Sequence, residues 1–273
     1  MYYVILGIVQ GLTEFLPVSS SAHLRISQNL LGIRIPGVAF EVFVHFCTTL
    51  AVICLFRKEI KEIIYSFIKS ILRLNHWPSF LDYVKKDNNS KYAWLLLLST
   101  IPGALIGYLL QNTIEQMFDN SLFIGLMLMT TGICLFLTDK FFIEGSKTIK
   151  EINWVDAIFI GLAQAFAIFP GISRAGFTIM MGLARRLERE FTAQYSFILS
   201  IPIIMGASIY KIKEIFQLNV NINIYILLIS GLAAFLFGCL AMRFFIRMLV
   251  NFKLRFFSYY LWILAIIVIF LKK

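Results

Sequence analysis

The composition of the chain is that of an integral membrane protein. Its 273 residues are 59% hydrophobic and only 15% charged, with a mean hydropathy of +0.82, whereas a soluble domain has about a quarter charged residues. The net charge of +10 comes from basic residues between apolar runs, which indicates contacts with lipid headgroups and argues against a nucleic-acid partner. The uncharged runs are too long for the alternating strands of an outer-membrane barrel, so we expect helices.

Six apolar runs approach the length of about 20 residues that a membrane-spanning helix needs. They lie near residues 36–56, 92–114 and 120–138, and near 191–210, 215–242 and 256–271. Between the first two, apolar residues recur at helical spacing from 57 to 75, which predicts an amphipathic helix on the membrane surface. The predicted fold class is therefore an all-α polytopic membrane protein.

Two further apolar regions, residues 1–31 and 154–187, are each interrupted by a turn rich in proline and serine. A half-length helix, a turn and a second half-length helix form a re-entrant hairpin. Such a backbone is tolerated at membrane depth only where it lines a cavity within the protein. We therefore expect two hairpins whose turns lie inside the helix bundle.

The two halves of the chain read as a repeat. Residues 11–14 (GLTE), followed by Pro17, parallel residues 161–164 (GLAQ), followed by Pro170. Each half, 1–145 and 150–273, would contain one hairpin and three spans. Because three is an odd number, the second copy must be inverted relative to the first, and the two hairpin turns are predicted to meet near the bilayer midplane.

The basic residues predict the orientation. Most of the 25 Lys and Arg residues fall in connections that share one face in this topology. The positive-inside rule places that face in the cytoplasm and both termini outside. The first hairpin would then enter from the outside, and a site at its turn would be reached from there.

Polar residues of the first hairpin are candidates for chemistry. Gln10 and Glu14 lie four residues apart and so project from one face of a helix. A carboxylate at bilayer depth usually has a functional role, so we interpret the pair as coordinating a metal or a phosphate group. The alternative is that the two side chains only join the hairpin to neighbouring helices by polar contacts. Residues 19–21, all serines, supply hydroxyls or cap the next helix, and His23 can exchange a proton near neutral pH.

The second turn predicts an anion site. The fork of Arg174 suits phosphate oxygens, and Gly171 permits close approach of the backbone to a ligand. Ser173 precedes a helix whose first amides would point at the same anion. The alternative is a structural ion pair between Arg174 and Glu14 that joins the two halves.

These motifs resemble the undecaprenyl-diphosphate phosphatase family, also known as bacitracin-resistance proteins of the BacA/UppP type. The likeness rests on Gln10 and Glu14, on the stretch 17–23 (PVSSSAH), and on 170–174 (PGISR) with Thr178. It covers essentially the whole chain. Ala175 stands where the family motif has a second serine, so this chain lacks that hydroxyl. Ala22 stands where a glycine is common.

The resemblance implies hydrolysis of undecaprenyl diphosphate to undecaprenyl phosphate and inorganic phosphate in the inner membrane of a bacterium, with bacitracin resistance as a consequence. The implied partners are this lipid and the bilayer. A homodimer is compatible with the sequence. A divalent cation, Mg²⁺ or Ca²⁺, would assist. The residues that match the family motifs, or flank them, are Glu14, Ser20, His23 and Arg174 for catalysis, Ser19, Ser21, Gly171, Ser173 and Thr178 for substrate binding, and Gln10 with Glu14 for the metal.

Two questions stay open at this point. Ser20 could attack the terminal phosphorus while His23 takes its proton, or His23 could activate a water molecule. Inverted repeats with broken helices are also the architecture of many transporters, so a flippase for a polyprenyl phosphate is the rival function.

Overall fold

The computed structural model describes residues 1–33, 39–141, 145–217, 224–251 and 253–270. These residues form α-helices joined by short connections, and the described ranges contain no strand beyond one isolated bridge between Lys147 and Leu187. The predicted all-α class is confirmed. The helices are α1 (Tyr2–Glu14), α2 (Ser20–Leu30), α3 (Ala39–Leu55), α4 (Arg57–Ile71), α5 (Trp77–Lys86), α6 (Asn88–Met117), α7 (Ser121–Phe141), α8 (Trp154–Phe166), α9 (Arg174–Ala184), α10 (Arg189–Gln217), α11 (Ile224–Asn251) and α12 (Arg255–Phe270).

Several helices are long and apolar enough to cross a membrane, so the chain is a multi-pass membrane protein. They are Asn88–Ile114, Ser121–Phe141, Arg189–Tyr210 and Ile224–Leu249. Helices α3 and α4 pass the same test only as a pair bent by 88°, and α12 has 16 residues. Residues 36–38, 218–223 and 271, which belong to the predicted spans 36–56, 215–242 and 256–271, lie outside the described residues.

The helices extend beyond the predicted spans: α6 begins at Asn88 rather than 92, and α11 ends at Asn251 rather than 242. Helix α10 continues through Gln217, whereas the next span was predicted to begin at residue 215. Residues 211–217 are mostly good helix formers, so the helix extends beyond its apolar part. Helix α5 was not predicted. His76 precedes it and caps it, because the His76 side chain accepts a hydrogen bond from the amide of Ser79, and the helix packs Phe80 on Trp94 of α6.

Helices from each half of the chain pack against helices from the other half. Helix α1 packs on α11 of the second half, and α8 packs on α6 of the first half, while α3 packs on α10 and α7 on α12. Two corresponding glycines allow the close contacts: a Cβ on Gly11 would lie 2.6 Å from the carbonyl oxygen of Ala234, and one on Gly161 would lie 2.7 Å from that of Ser99. Two repeats related by a two-fold axis would pack in this way. Their inverted orientation in the membrane stays a prediction.

Candidate active site

The turns of the two hairpins lie against each other. The hydroxyl of Ser173 donates a hydrogen bond to the carbonyl oxygen of Leu16 at 3.5 Å, so the second turn contacts the first. Helix α7 supports the second turn, because Thr131 Oγ1 accepts a bond from the amide of Ser173 at 3.3 Å and donates one to the carbonyl of Gly171 at 3.4 Å. Gly171 has a φ of +97°, a conformation that favours glycine, and its Cα faces α7 at a distance that excludes a side chain.

A cavity of about 280 Å³ lies beside these turns. One wall is apolar and comes mainly from α10 and from the residues before the second turn. The other wall carries the polar residues Glu14, Ser19, Ser20, Ser21, Glu41, His45, Ser173, Arg174 and Ser208. Six of these residues were predicted from the sequence as members of the site: Glu14, the three serines of the first turn, Ser173 and Arg174.

The carboxylate of Glu14 is the centre of the polar wall. The residue is buried, and both of its carboxylate oxygens have partners. Oε2 accepts hydrogen bonds from Gln10 Nε2 at 2.8 Å and from Ser20 Oγ at 2.7 Å, and it lies 3.2 Å from His45 Nε2. Oε1 forms an ion pair with Arg174 Nη2 at 2.7 Å. Glu14 is thus the point at which α1, α2, α3 and α9 meet.

Arg174 joins the two halves and still has a free donor. Its Nη2 pairs with Glu14, as the structural alternative predicted, but its Nη1 is buried and has no partner among the described residues. A buried guanidinium donor without an acceptor is costly. Because Arg174 also lines the cavity, an anion that enters it would supply the acceptor that Nη1 lacks. The ion pair and the anion site are therefore compatible.

Two helices begin at the cavity. Ser19, the residue before α2, has a φ of +66°, and its side chain does not cap the helix but lies 3.3 Å from the Ser21 hydroxyl. Ser173 does cap α9, because its Oγ accepts a hydrogen bond from the amide of Gly176 at 3.1 Å. The first amides of a helix have no acceptor within the helix and carry a partial positive charge. Both helices therefore favour an anion at this position.

Four of the predicted residues, Gln10, Gly171, His23 and Thr178, do not line the cavity. His23 turns away from it: Nδ1 lies 2.8 Å from the carbonyl oxygen of Ser19 and Nε2 lies 2.6 Å from the Tyr260 hydroxyl. Thr178 is buried, and its hydroxyl bonds to the carbonyl of Arg174 and to the Ser196 hydroxyl. Both side chains hold helices in place around the turns. Direct contact with the substrate stays a prediction for each of them.

Two residues that the sequence analysis did not propose line the cavity. His45 holds Glu14 from α3, and its Nδ1 lies 2.7 Å from the carbonyl oxygen of Glu41. Glu41 is a second carboxylate on the cavity wall, within 3.4 Å of the Gln28 amide nitrogen. A signal for both was present, because they are four residues apart and interrupt an otherwise apolar span.

The residues predicted to bind a metal fit a hard divalent cation. The Oε1 atom of Gln10 is buried and has no hydrogen-bond partner among the described residues, and it belongs to the side chain that contacts Glu14. Carbonyl and carboxylate oxygens are the ligands that Mg²⁺ and Ca²⁺ prefer. In the described ranges, no group of three or more His, Cys, Asp or Glu residues is placed to hold a metal ion by itself, so the site would depend on further oxygens from substrate or water.

Comparison with known proteins identifies the chain. Residues 3–267 match the family described as bacitracin resistance protein BacA. The chain belongs to this family. The match covers both hairpin turns and every residue of the cavity wall. The family resemblance that the turn motifs indicated is therefore confirmed over nearly the whole chain.

Curated relatives with the name undecaprenyl-diphosphatase match over nearly their whole length. The protein of Desulforapulum autotrophicum is 40% identical over 97% of this chain and 95% of its own. That of Methanosphaera stadtmanae is 38% identical over 98% of this chain and 96% of its own. That of Thermosipho africanus is 40% identical over 99% of each chain.

Proposed function

We propose that this BacA-family protein hydrolyses undecaprenyl diphosphate to undecaprenyl phosphate and inorganic phosphate. The relatives named for this activity support the proposal, and so does the cavity. The observation that carries it is the unpartnered donor Arg174 Nη1 at a cavity where Ser20 contacts Glu14. The activity regenerates the lipid carrier for peptidoglycan synthesis and accounts for bacitracin resistance.

The positive groups around the cavity are arranged to bind the diphosphate. Arg174 would donate from Nη1 to an oxygen of the terminal phosphate while Nη2 stays on Glu14. The amides that begin α2 and α9 would contact the remaining oxygens. Phosphoryl transfer depends mainly on such positioning and on neutralising the charge of the transferred oxygens.

Ser20 is the proposed nucleophile. Its Oγ donates a hydrogen bond to Glu14 Oε2 at 2.7 Å, so the proton acceptor is already in contact. In the proposed step, Oγ forms a bond to the terminal phosphorus, its proton passes to Glu14, and the bond from that phosphorus to the bridging oxygen breaks. The electron pair leaves with undecaprenyl phosphate. Water then hydrolyses the phosphoserine, releasing phosphate and restoring Ser20.

This assignment replaces His23 as the proton acceptor. Both nitrogens of His23 contact other groups, Ser19 and Tyr260, whereas Glu14 contacts the hydroxyl of Ser20 directly. Proton transfer requires hydrogen-bond reach between the two groups, and Glu14 meets that condition. We assign His23 the role of holding the serine turn, whose backbone is strained at Ser19.

Glu14 and Gln10 are the residues that would hold the divalent cation. Bound there, the cation would neutralise charge on the phosphate oxygens. Treatment with a chelator should abolish phosphate release, and addition of Mg²⁺ or Ca²⁺ should restore it. Full activity in the chelator-treated protein would remove the cation from the proposal.

We also propose that the protein lies in the inner membrane with both termini outside and that the site opens outward. The distribution of basic residues supports this orientation. A membrane-impermeant thiol reagent should label Ser21→Cys in intact cells better than in inside-out vesicles, relative to the parent protein. Equal labelling would contradict the orientation. Assembly as a homodimer stays a prediction, testable by the mass of the detergent-solubilised protein.

The proposed activity is tested by following both products. Purified protein in detergent should release one phosphate for each undecaprenyl phosphate formed. A flippase would move the lipid without cleaving it, so stable substrate in the presence of folded protein would overturn the proposal.

A further inference from the structure

A second cavity lies beside the active-site cavity, between α6 and α10. Its volume is about 480 Å³, within the range of about 300–1,000 Å³ in which pockets bury small organic ligands. The two cavities share Val42, Ile168, Ile203 and Ala207 on their walls. The cavity at Arg174 therefore borders a groove between two membrane-spanning helices, which we call the α6–α10 groove.

Small residues keep this groove open. A Cβ on Gly206 would meet no atom within 4 Å, and a Cβ on Gly107 would meet only the Cδ1 of Ile168 at 3.6 Å. By contrast, Gly11 and Gly161 lie in close helix contacts that a side chain would disrupt. A glycine inside a helix costs about 1 kcal/mol relative to alanine. Close helix packing does not account for Gly107 and Gly206, because no neighbouring backbone lies against them. What these glycines do is leave open space in the groove.

The groove is open toward the outside of the bundle. Tyr108 of α6 and Tyr210 of α10 form an edge-to-face pair with ring centroids 6.3 Å apart, and their side chains are 66% and 56% exposed. Gly206 and Ala104 on its walls are exposed as well. In a membrane-spanning pair of helices, this exposed surface faces lipid. The groove thus lies between the polar cavity and the surface that would face the bilayer.

We propose that the α6–α10 groove holds the isoprene units that follow the first one in the isoprenoid chain. This inference rests on the proposed function, because the diphosphate at Arg174 is covalently attached to an apolar chain that must leave the polar cavity. The groove shares walls with that cavity, and the lining is apolar apart from a few groups such as Thr100 and Gln111. The rest of the long chain would lie in the bilayer.

Filling the groove tests the proposal. Gly206→Leu and Gly107→Leu each direct a branched apolar side chain into the groove from a position where a Cβ meets no backbone atom. Leu105→Trp is the matched control, since Leu105 is on the exposed face of α6, at 56% exposure, and does not line either cavity. Each protein is assayed with undecaprenyl diphosphate and with dimethylallyl diphosphate, whose chain is a single isoprene unit.

Both leucine variants should lower kcat/KM for undecaprenyl diphosphate more than tenfold, since excluding two buried CH₂ groups already weakens binding by about tenfold. The loss should appear mainly in KM. Values for dimethylallyl diphosphate, and both values for the control, should stay within about twofold of wild type. Equal losses for both substrates, or no loss for either, would overturn the groove assignment. Failure of the wild-type protein to release phosphate from either substrate would instead contradict the proposed function.

Discussion

Replacing Arg174 by lysine separates phosphate binding from the ion pair with Glu14. The guanidinium uses Nη2 for the Glu14 Oε1 contact at 2.7 Å and leaves Nη1 without a partner among the described residues. Lysine keeps a positive charge for one of these contacts but cannot make both from a planar fork. The substitution therefore removes the proposed phosphate contact and retains the stabilising one.

The magnitude follows from the two contacts. Loss of one preorganised donor to a transition-state oxygen lowers kcat by about 100-fold, equivalent to about 2.7 kcal/mol. Stability should change little in Arg174→Lys. In Arg174→Ala, by contrast, the buried Glu14 carboxylate loses its arginine partner, and breaking such a pair costs about 3–5 kcal/mol.

The assay combines phosphate release from undecaprenyl diphosphate with thermal unfolding of the purified proteins in detergent. We expect Arg174→Lys to melt near the wild-type temperature while kcat falls about 100-fold. Turnover within threefold of wild type would refute the assignment of Nη1 to the phosphate. A melting temperature as low as that of Arg174→Ala would show that the lysine does not maintain the ion pair.

Substitutions at three further positions, with matched controls, test the contacts of the site and of the helices around it. His45→Leu should lower kcat at least tenfold, because it removes a hydrogen-bond donor from Glu14. His45→Gln retains an N–H and should keep most of the activity. An equal loss of activity in both variants would contradict a positioning role for His45. Asp156→Asn should reduce the free energy of unfolding by about 1–3 kcal/mol and leave kcat unchanged, because buried Asp156 pairs with Lys147 and Arg185 away from the cavity. An unchanged melting temperature would contradict the stabilising role of these ion pairs. Gly161→Ala should destabilise the protein by about 1–3 kcal/mol, because its methyl group would meet the backbone of Ser99. Gly206→Ala, which meets no atom, should not lower the melting temperature. A lower melting temperature for Gly206→Ala than for Gly161→Ala would contradict the close contact between α8 and α6.

Much of the architecture could be predicted from the sequence. Uninterrupted apolar runs of span length fixed the all-α class, and the parallel between residues 11–14 and 161–164 identified two segments that the structure places in corresponding helix contacts. The spacing of Gln10 and Glu14 likewise placed both side chains on one helix face, where they are hydrogen-bonded. Local periodicity was sufficient in these cases because the helix itself sets the geometry.

The roles of the two histidines could not be predicted in this way. His23 follows a serine turn in the motif, but the direction of its side chain depends on the backbone at Ser19, whose positive φ sets how α2 leaves the turn. As a result His23 contacts Tyr260, which is 237 residues away in sequence. His45 reaches Glu14 only because α3 packs beside the hairpin. Such long-range contacts leave no periodic pattern in a single sequence.

The central claim is that Ser20, in contact with Glu14 and next to Arg174, attacks the terminal phosphorus of undecaprenyl diphosphate. It is tested most directly by rapid acid quenching of turnover with substrate labelled in the terminal phosphate, comparing wild type, Ser20→Ala and Ser21→Ala. We predict phosphate release and transient label on Ser20 in wild type and in Ser21→Ala, and neither in folded Ser20→Ala. Phosphate release by Ser20→Ala at the wild-type rate would contradict the account.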